Sequence, residues 1–274
     1  MNIFLNKDRK LRSLWWVTIF FLILAVVTIP LIVISSENQF EITLVHQAII
    51  IVVVNIVCQL ISGEPISKLT GKLDYYFTKS LLTGALIGSI LMALPAFLMF
   101  IAGMVHWNLT QVNRMDLISA VTVIIAGVIA EEFLFRGFLF QRLISGLGVW
   151  PAQLIIAGLF VLTHLSNPGM TGTIKIFASI NIFIASLLFG FAFLKTRTLA
   201  MPIGMHFMAN LMQGTILGFG VSGNDEVSFL KPVFGHQAEW ITGGSFGLEA
   251  SIFGLSVLML IVFFFVGWYP SRRV

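Results

Sequence analysis

The stretch AEEFLFRGFLFQR, Ala130–Arg142, decides how this chain is read. It sets Glu131, Glu132 and Arg136 inside a run otherwise made of valine, isoleucine, leucine and phenylalanine. An unpaired charge at the centre of a bilayer costs about 3 kcal/mol or more, so charges within such a run are functional candidates by default. The surroundings show that the run belongs in a membrane. Of 274 residues, 58% are hydrophobic and 10% charged, with a mean hydropathy of +0.98. A soluble domain is about one quarter charged, so the deficit indicates an integral membrane protein.

Eight apolar runs are long enough to be read as spans: Leu14–Ile34, Ile42–Ile61, Leu81–Val105, Leu117–Leu143, Trp150–Leu165, Ile174–Leu194, Leu199–Phe219 and Leu248–Trp268. The first follows a basic N-terminus, is too long for a signal-peptide core and is not followed by a small-residue cleavage site. The expected fold is all-α: a polytopic membrane bundle of about eight transmembrane helices with an intramembrane polar site, one integral domain over 1–274. Gly84 and Gly88 form a GxxxG pair in the third run, which predicts close helix packing. The lone cysteine, Cys58, excludes an intramolecular disulfide and a cysteine-rich metal site and reads as a small core residue.

The net charge of +4 does not point to nucleic acid, because the basic residues form no patch and sit at the ends of apolar runs. Lys7, Arg9, Lys10, Arg12, Lys68, Lys72, Lys79, Arg136, Arg142, Lys195, Arg197, Arg272 and Arg273 fall on one side of an eight-span layout. Arg114, Lys175 and Lys231 fall on the other. The positive-inside rule then puts both termini in the cytoplasm of a multi-pass cell-membrane protein. The long connection Val221–Gly247 is expected outside, and His46, His106 and His236 read as structural or solvated.

Few side chains within the spans can perform acid–base chemistry: Glu131 and Glu132, His164, and His206 with Asn210. Counting about 1.5 Å per residue from the predicted cytoplasmic ends places Glu131 about 16 Å deep, His206 about 13 Å and His164 about 21 Å. Three helices thus contribute titratable groups to one layer. Neighbouring residues on a helix point about 100° apart, so Glu131 and Glu132 cannot face one small cavity together. Arg136 lies four residues after Glu132, the spacing of a favourable ion pair. That pairing leaves Glu131 for chemistry. His206 and Asn210, also four apart, share a face. Glu131 and His164 would hold and activate a water, while His206 and Asn210 would donate to the oxyanion of a tetrahedral intermediate.

The three motifs EEFLFR (EExxxR), FVLTH (FxxxH, Phe160–His164) and HFMAN (HxxxN, His206–Asn210) resemble, in order and setting, the CPBP family. This is the family of CAAX proteases and bacteriocin-processing or Abi intramembrane proteases. The likeness covers roughly Ala120–Gln213, with a protease-like core at about 115–215. It implies a site opening towards the cytosol, with catalytic Glu131, His164, His206 and Asn210 and supporting Glu132, Arg136 and Phe160. It also implies hydrolysis of membrane-associated peptides or proteins, in peptide maturation, bacteriocin self-immunity or peptide signalling. A chain without an organellar signal reads as bacterial. No cofactor is expected. Two histidines and a glutamate would make a catalytic zinc set, but HExxH is absent and Asn210 is a poor zinc ligand and a good donor. Two readings of other classes stand beside this one: a non-hydrolytic scaffold or immunity protein that binds a partner, and a proton-coupled transporter. The retained motifs weigh against the first and the lack of a two-fold repeat against the second.

Overall fold

The computed structural model describes residues 3–5, 11–38 and 40–267. Lys7, Arg9, Lys10, Arg272 and Arg273, used in the topology, and Trp268, the predicted end of the last span, lie outside the described residues. The rest is predominantly helical: α1 (Ser13–Asn38), α2 (Leu44–Ile61), α3 (Ile66–Thr70), α4 (Tyr75–Ile101), α5 (Arg114–Arg136), α6 (Phe138–Leu147), α7 (Val149–His164), α8 (Gly172–Thr196), α9 (Ala200–Asn210), α10 (Glu239–Thr242) and α11 (Ile252–Gly267). Each predicted span overlaps helix, which closes backbone hydrogen bonds within one segment and so suits lipid. Among the described residues, five helical stretches are long and apolar enough to cross a membrane, whereas α7 and α11 are shorter apolar helices.

Three departures from the sequence reading have local causes. The third span ends at Ile101, not Val105. Gly103, at a φ of 68°, turns the chain, and the amides of Gly103 and Met104 bond back to the Phe100 and Met99 carbonyls, a Schellman stop. Val105–Leu109 then forms β1, paired antiparallel with β2 (Leu230–Phe234), with Trp107 opposite Pro232. The bundle is therefore not purely helical: a two-stranded ribbon from the predicted outer loops closes one end, fastened by the Trp107 indole donating to the Leu217 carbonyl at 2.8 Å.

The fourth span is not one helix. It breaks at Gly137, and the free amide of Phe138 at the start of α6 donates to the fully buried Asn55 Oδ1 at 2.8 Å. A Cβ on Gly137 would strike that same oxygen. The depth counted for Glu131 from Arg142 ran across this break. Glu131 is instead five residues from the end of α5. Arg142, on α6, stacks over Phe138 at 4.7 Å and donates to Ser62 Oγ at 2.8 Å. Arg136, counted as a cytoplasmic loop charge, is fully buried and contributes nothing to surface charge bias.

Gly84 and Gly88 pack as the GxxxG pair predicted. Their α-carbons face α9 so closely that a Cβ on either would strike the carbonyls of Met201 and Met205, and one on Gly204 would strike Leu81 in return. This contact fixes α9, which carries His206, against α4. The α9 helix then widens into a π-helical turn, Leu211–Ile216, beginning directly after Asn210. Such turns commonly mark functional positions.

Candidate active site

α5, α7, α8 and α9 converge at the site. Glu132 and Arg136 are both fully buried and four residues apart on α5, with Arg136 Nη1 3.1 Å from Glu132 Oε1. Arg136 Nη2 donates to the Ser186 hydroxyl at 2.8 Å and to the Ser186 carbonyl at 3.1 Å, which ties α5 to α8. Its guanidinium carbon also lies 5.0 Å from the Phe160 ring centre and 5.2 Å from that of Phe189. Aromatic faces attract a cation and here replace the water it has lost.

The same Glu132 oxygen accepts from His206 Nδ1 at 2.8 Å. An ionised carboxylate can only accept, so Nδ1 carries the proton and Nε2 is the nitrogen turned outward. Phe189 stacks on the imidazole, with centroids 4.9 Å apart, and holds its plane. His206 Nε2 then lies 3.6 Å from Glu131 Oε2. His164 is fixed in a parallel way. Its Nδ1 donates to the Phe160 carbonyl at 2.7 Å, and its Nε2 faces Glu131 Oε1 at 4.0 Å.

Glu131 thus stands between two outward Nε2 atoms, at separations longer than a hydrogen bond. A gap above 3.5 Å between polar groups is one that a water can bridge. The Glu131 side chain is 34% exposed, against 0% for Glu132. Among the described residues no group of three His, Cys, Asp or Glu side chains has an arrangement suited to holding a metal ion.

All seven residues singled out in the sequence are brought together here. Glu131, Glu132, Arg136, His164 and His206 are joined by the contacts above. Phe160 packs 4.7 Å from the His164 ring and 6.3 Å from that of His206. Asn210 lines a small cavity with His164, His206 and Phe160. That cavity, about 50 Å³, has room for a few waters and also meets Asn181, Ser222 and Glu249. Glu249 Oε1 accepts from the Ser222 amide and hydroxyl at 2.6 and 3.0 Å. The cavity therefore runs from the histidines towards Ser222 and Glu249.

Ser186, Phe189, Asn181 and Glu249 were missed by sequence reasoning. Asn181 and Phe189 share one face of α8 with Ala185 at four-residue spacing, and Glu249 is a solitary acid opening an apolar run. Those were the available signals. The histidines assigned no role behave so: His46 Nδ1 caps α2 by accepting from the Thr43 amide at 3.2 Å, and His106 and His236 are exposed.

No curated protein matches this chain. Residues 113–212, the segment that carries Glu131, Glu132, Arg136, Phe160, His164, His206 and Asn210, match the family model described as type II CAAX prenyl endopeptidase Rce1-like, in agreement with the CPBP family.

Proposed function

We propose that this protein is an intramembrane endopeptidase that hydrolyses membrane-associated peptides or small membrane proteins by direct attack of water, without metal. The observation that carries the reading is the position of Glu131, 3.6 and 4.0 Å from two histidine Nε2 atoms whose other nitrogens are already committed. A water between Glu131 and His164 would give one proton to the carboxylate while its remaining O–H donates a hydrogen bond to His164 Nε2. Its oxygen would then attack the scissile carbonyl. General-base assistance of this kind is worth about 10²–10⁴ in rate.

The developing oxyanion needs donors, and His206 Nε2 with the Asn210 carboxamide are the candidates. Because His206 Nδ1 already donates to Glu132, donation from Nε2 requires a ring carrying both protons. Glu132, itself paired with Arg136, holds that ring in register. Loss of one oxyanion donor costs about 3 kcal/mol in the transition state. The proton taken by Glu131 passes to the leaving amine as the intermediate collapses.

The description of the matched family, type II CAAX prenyl endopeptidase, names one substrate class. For this chain we propose the wider class of membrane-associated peptides, with peptide maturation, bacteriocin self-immunity or peptide signalling as settings. The test uses the full chain reconstituted in lipid vesicles and incubated with a membrane-peptide extract and a farnesylated CaaX peptide, read by mass spectrometry. New peptide termini should appear with wild type, vanish with Glu131→Ala and persist in a chelator. Termini that form equally with Glu131→Ala contradict the assignment, as does loss in chelator restored by zinc. Specific peptide binding without cleavage would favour the scaffold reading.

A further inference from the structure

Asn181 is 4% exposed, yet its carboxamide makes no hydrogen bond with any described residue. Its remaining exposure is to the site cavity, which it lines together with His164, His206 and Asn210. Buried amides are normally bonded, because an unmet donor and acceptor away from water is costly. This one is bonded only by what occupies the cavity.

Its position along the site follows from the α8–α9 hairpin. Phe189 of α8 stacks on His206 of α9, which aligns the two antiparallel helices at that level. Asn210 is four residues beyond His206, about 6 Å along α9, and Asn181 is eight residues before Phe189, about 12 Å along α8 in the same direction. Asn181 therefore stands about 6 Å past Asn210, towards Ser222 and Glu249. An extended peptide advances about 3.3 Å per residue, so 6 Å is about two residues.

We propose that Asn181 is a substrate-positioning residue: its carboxamide pairs with a backbone peptide group of the substrate about two residues from the scissile bond. A carboxamide offers one donor face and one acceptor face, the complement of a peptide group, and so holds the main chain whatever the side chains. This gives the site a way to register peptides of differing sequence against the His206–Asn210 pair. Water fills the role when no peptide is bound. The inference rests on the endopeptidase reading above.

The experiment uses quenched-fluorescent peptides cleaved by the wild-type chain in vesicles, and a matched set in which one amide linkage at a time, up to three on either side of the scissile bond, is replaced by an ester. An ester cannot donate to Asn181 Oδ1. At one linkage about two residues from the cut, the ester should lower wild-type kcat/KM roughly tenfold, the cost of one hydrogen bond. With Asn181→Leu, which keeps the volume and removes the pairing, the same ester should cost less than about twofold. Asn181→Ala gives the same comparison should the leucine variant fold poorly. Equal ester penalties in wild type and both variants at every linkage overturn the positioning role while leaving peptidase activity standing. Absence of any Glu131-dependent cleavage overturns the endopeptidase reading and this inference with it.

Discussion

The two sides of one helical turn, at Glu131 and at Glu132, are built to opposite specifications. On the Glu132 side every group is enclosed: Arg136 is bonded to Glu132 Oε1 and to Ser186, and His206 Nδ1 joins that same oxygen, while Glu132 Oε2 and Arg136 Nε are buried without a partner among the described residues. On the Glu131 side the carboxylate is one third exposed and is held short of hydrogen bonding to either histidine. The closed side is sealed from any reactant, whereas the open side is accessible to one. A buried charge cluster stabilises only while complete, and removing one member leaves the other uncompensated.

The largest expected break in this contrast is Glu132→Ala. It leaves Arg136 buried without its partner and should destabilise the folded protein by about 3–5 kcal/mol, measured as a loss of folded protein across a denaturant series in mild detergent. Next comes Gly88→Val, which forces a side chain against the Met205 backbone beside His206. Overpacking there should cost about 1–3 kcal/mol and lower cleavage through displacement of α9, so thermal unfolding and rate should fall together. A rate that falls with unchanged melting would contradict the packing account.

Asn55→Leu removes the acceptor for the Phe138 amide at the α5–α6 break. An unpaired buried N–H should cost about 1–3 kcal/mol, visible as a lowered melting temperature. The smallest effect is expected in the loop end. Burial raises the Glu226 carboxyl above the usual glutamate range, so the folded state binds its proton more tightly than the unfolded chain. That stability is present at low pH and is lost as pH rises through the raised value. Glu226→Gln should therefore raise the melting temperature slightly at pH 7, with the gain fading below the ordinary glutamate range.

Much of this contrast was legible in the sequence. The four-residue step from Glu132 to Arg136 and the 100° turn between neighbours were enough to separate the two carboxylates, and GxxxG spacing marked α4 for close packing without naming α9 as its partner. What could not be read were contacts made between distant segments. Nothing in the order of residues states that Asn55 caps α6, that Ser186 holds Arg136, or that Glu132 also holds His206. The break at Gly137 was hidden because AEEFLFRGFLFQR stays apolar across it, so hydropathy ran through a point where backbone geometry did not. The ribbon of β1 and β2 was missed for a related reason: Met104 and Val105 continue the apolar run of α4 after the chain has turned at Gly103, and the pairing of 105–109 with 230–234 joins segments far apart in sequence.

The most direct test of the division of labour compares Glu131→Gln with Glu132→Gln, recording melting temperature and cleavage rate per folded molecule on the same preparations. Glu131→Gln should melt within a few degrees of wild type and lose roughly 10²–10⁴ in rate. Glu132→Gln should melt well below wild type. A Glu131→Gln protein that cleaves at the wild-type rate, or that unfolds as readily as Glu132→Gln, would contradict the account.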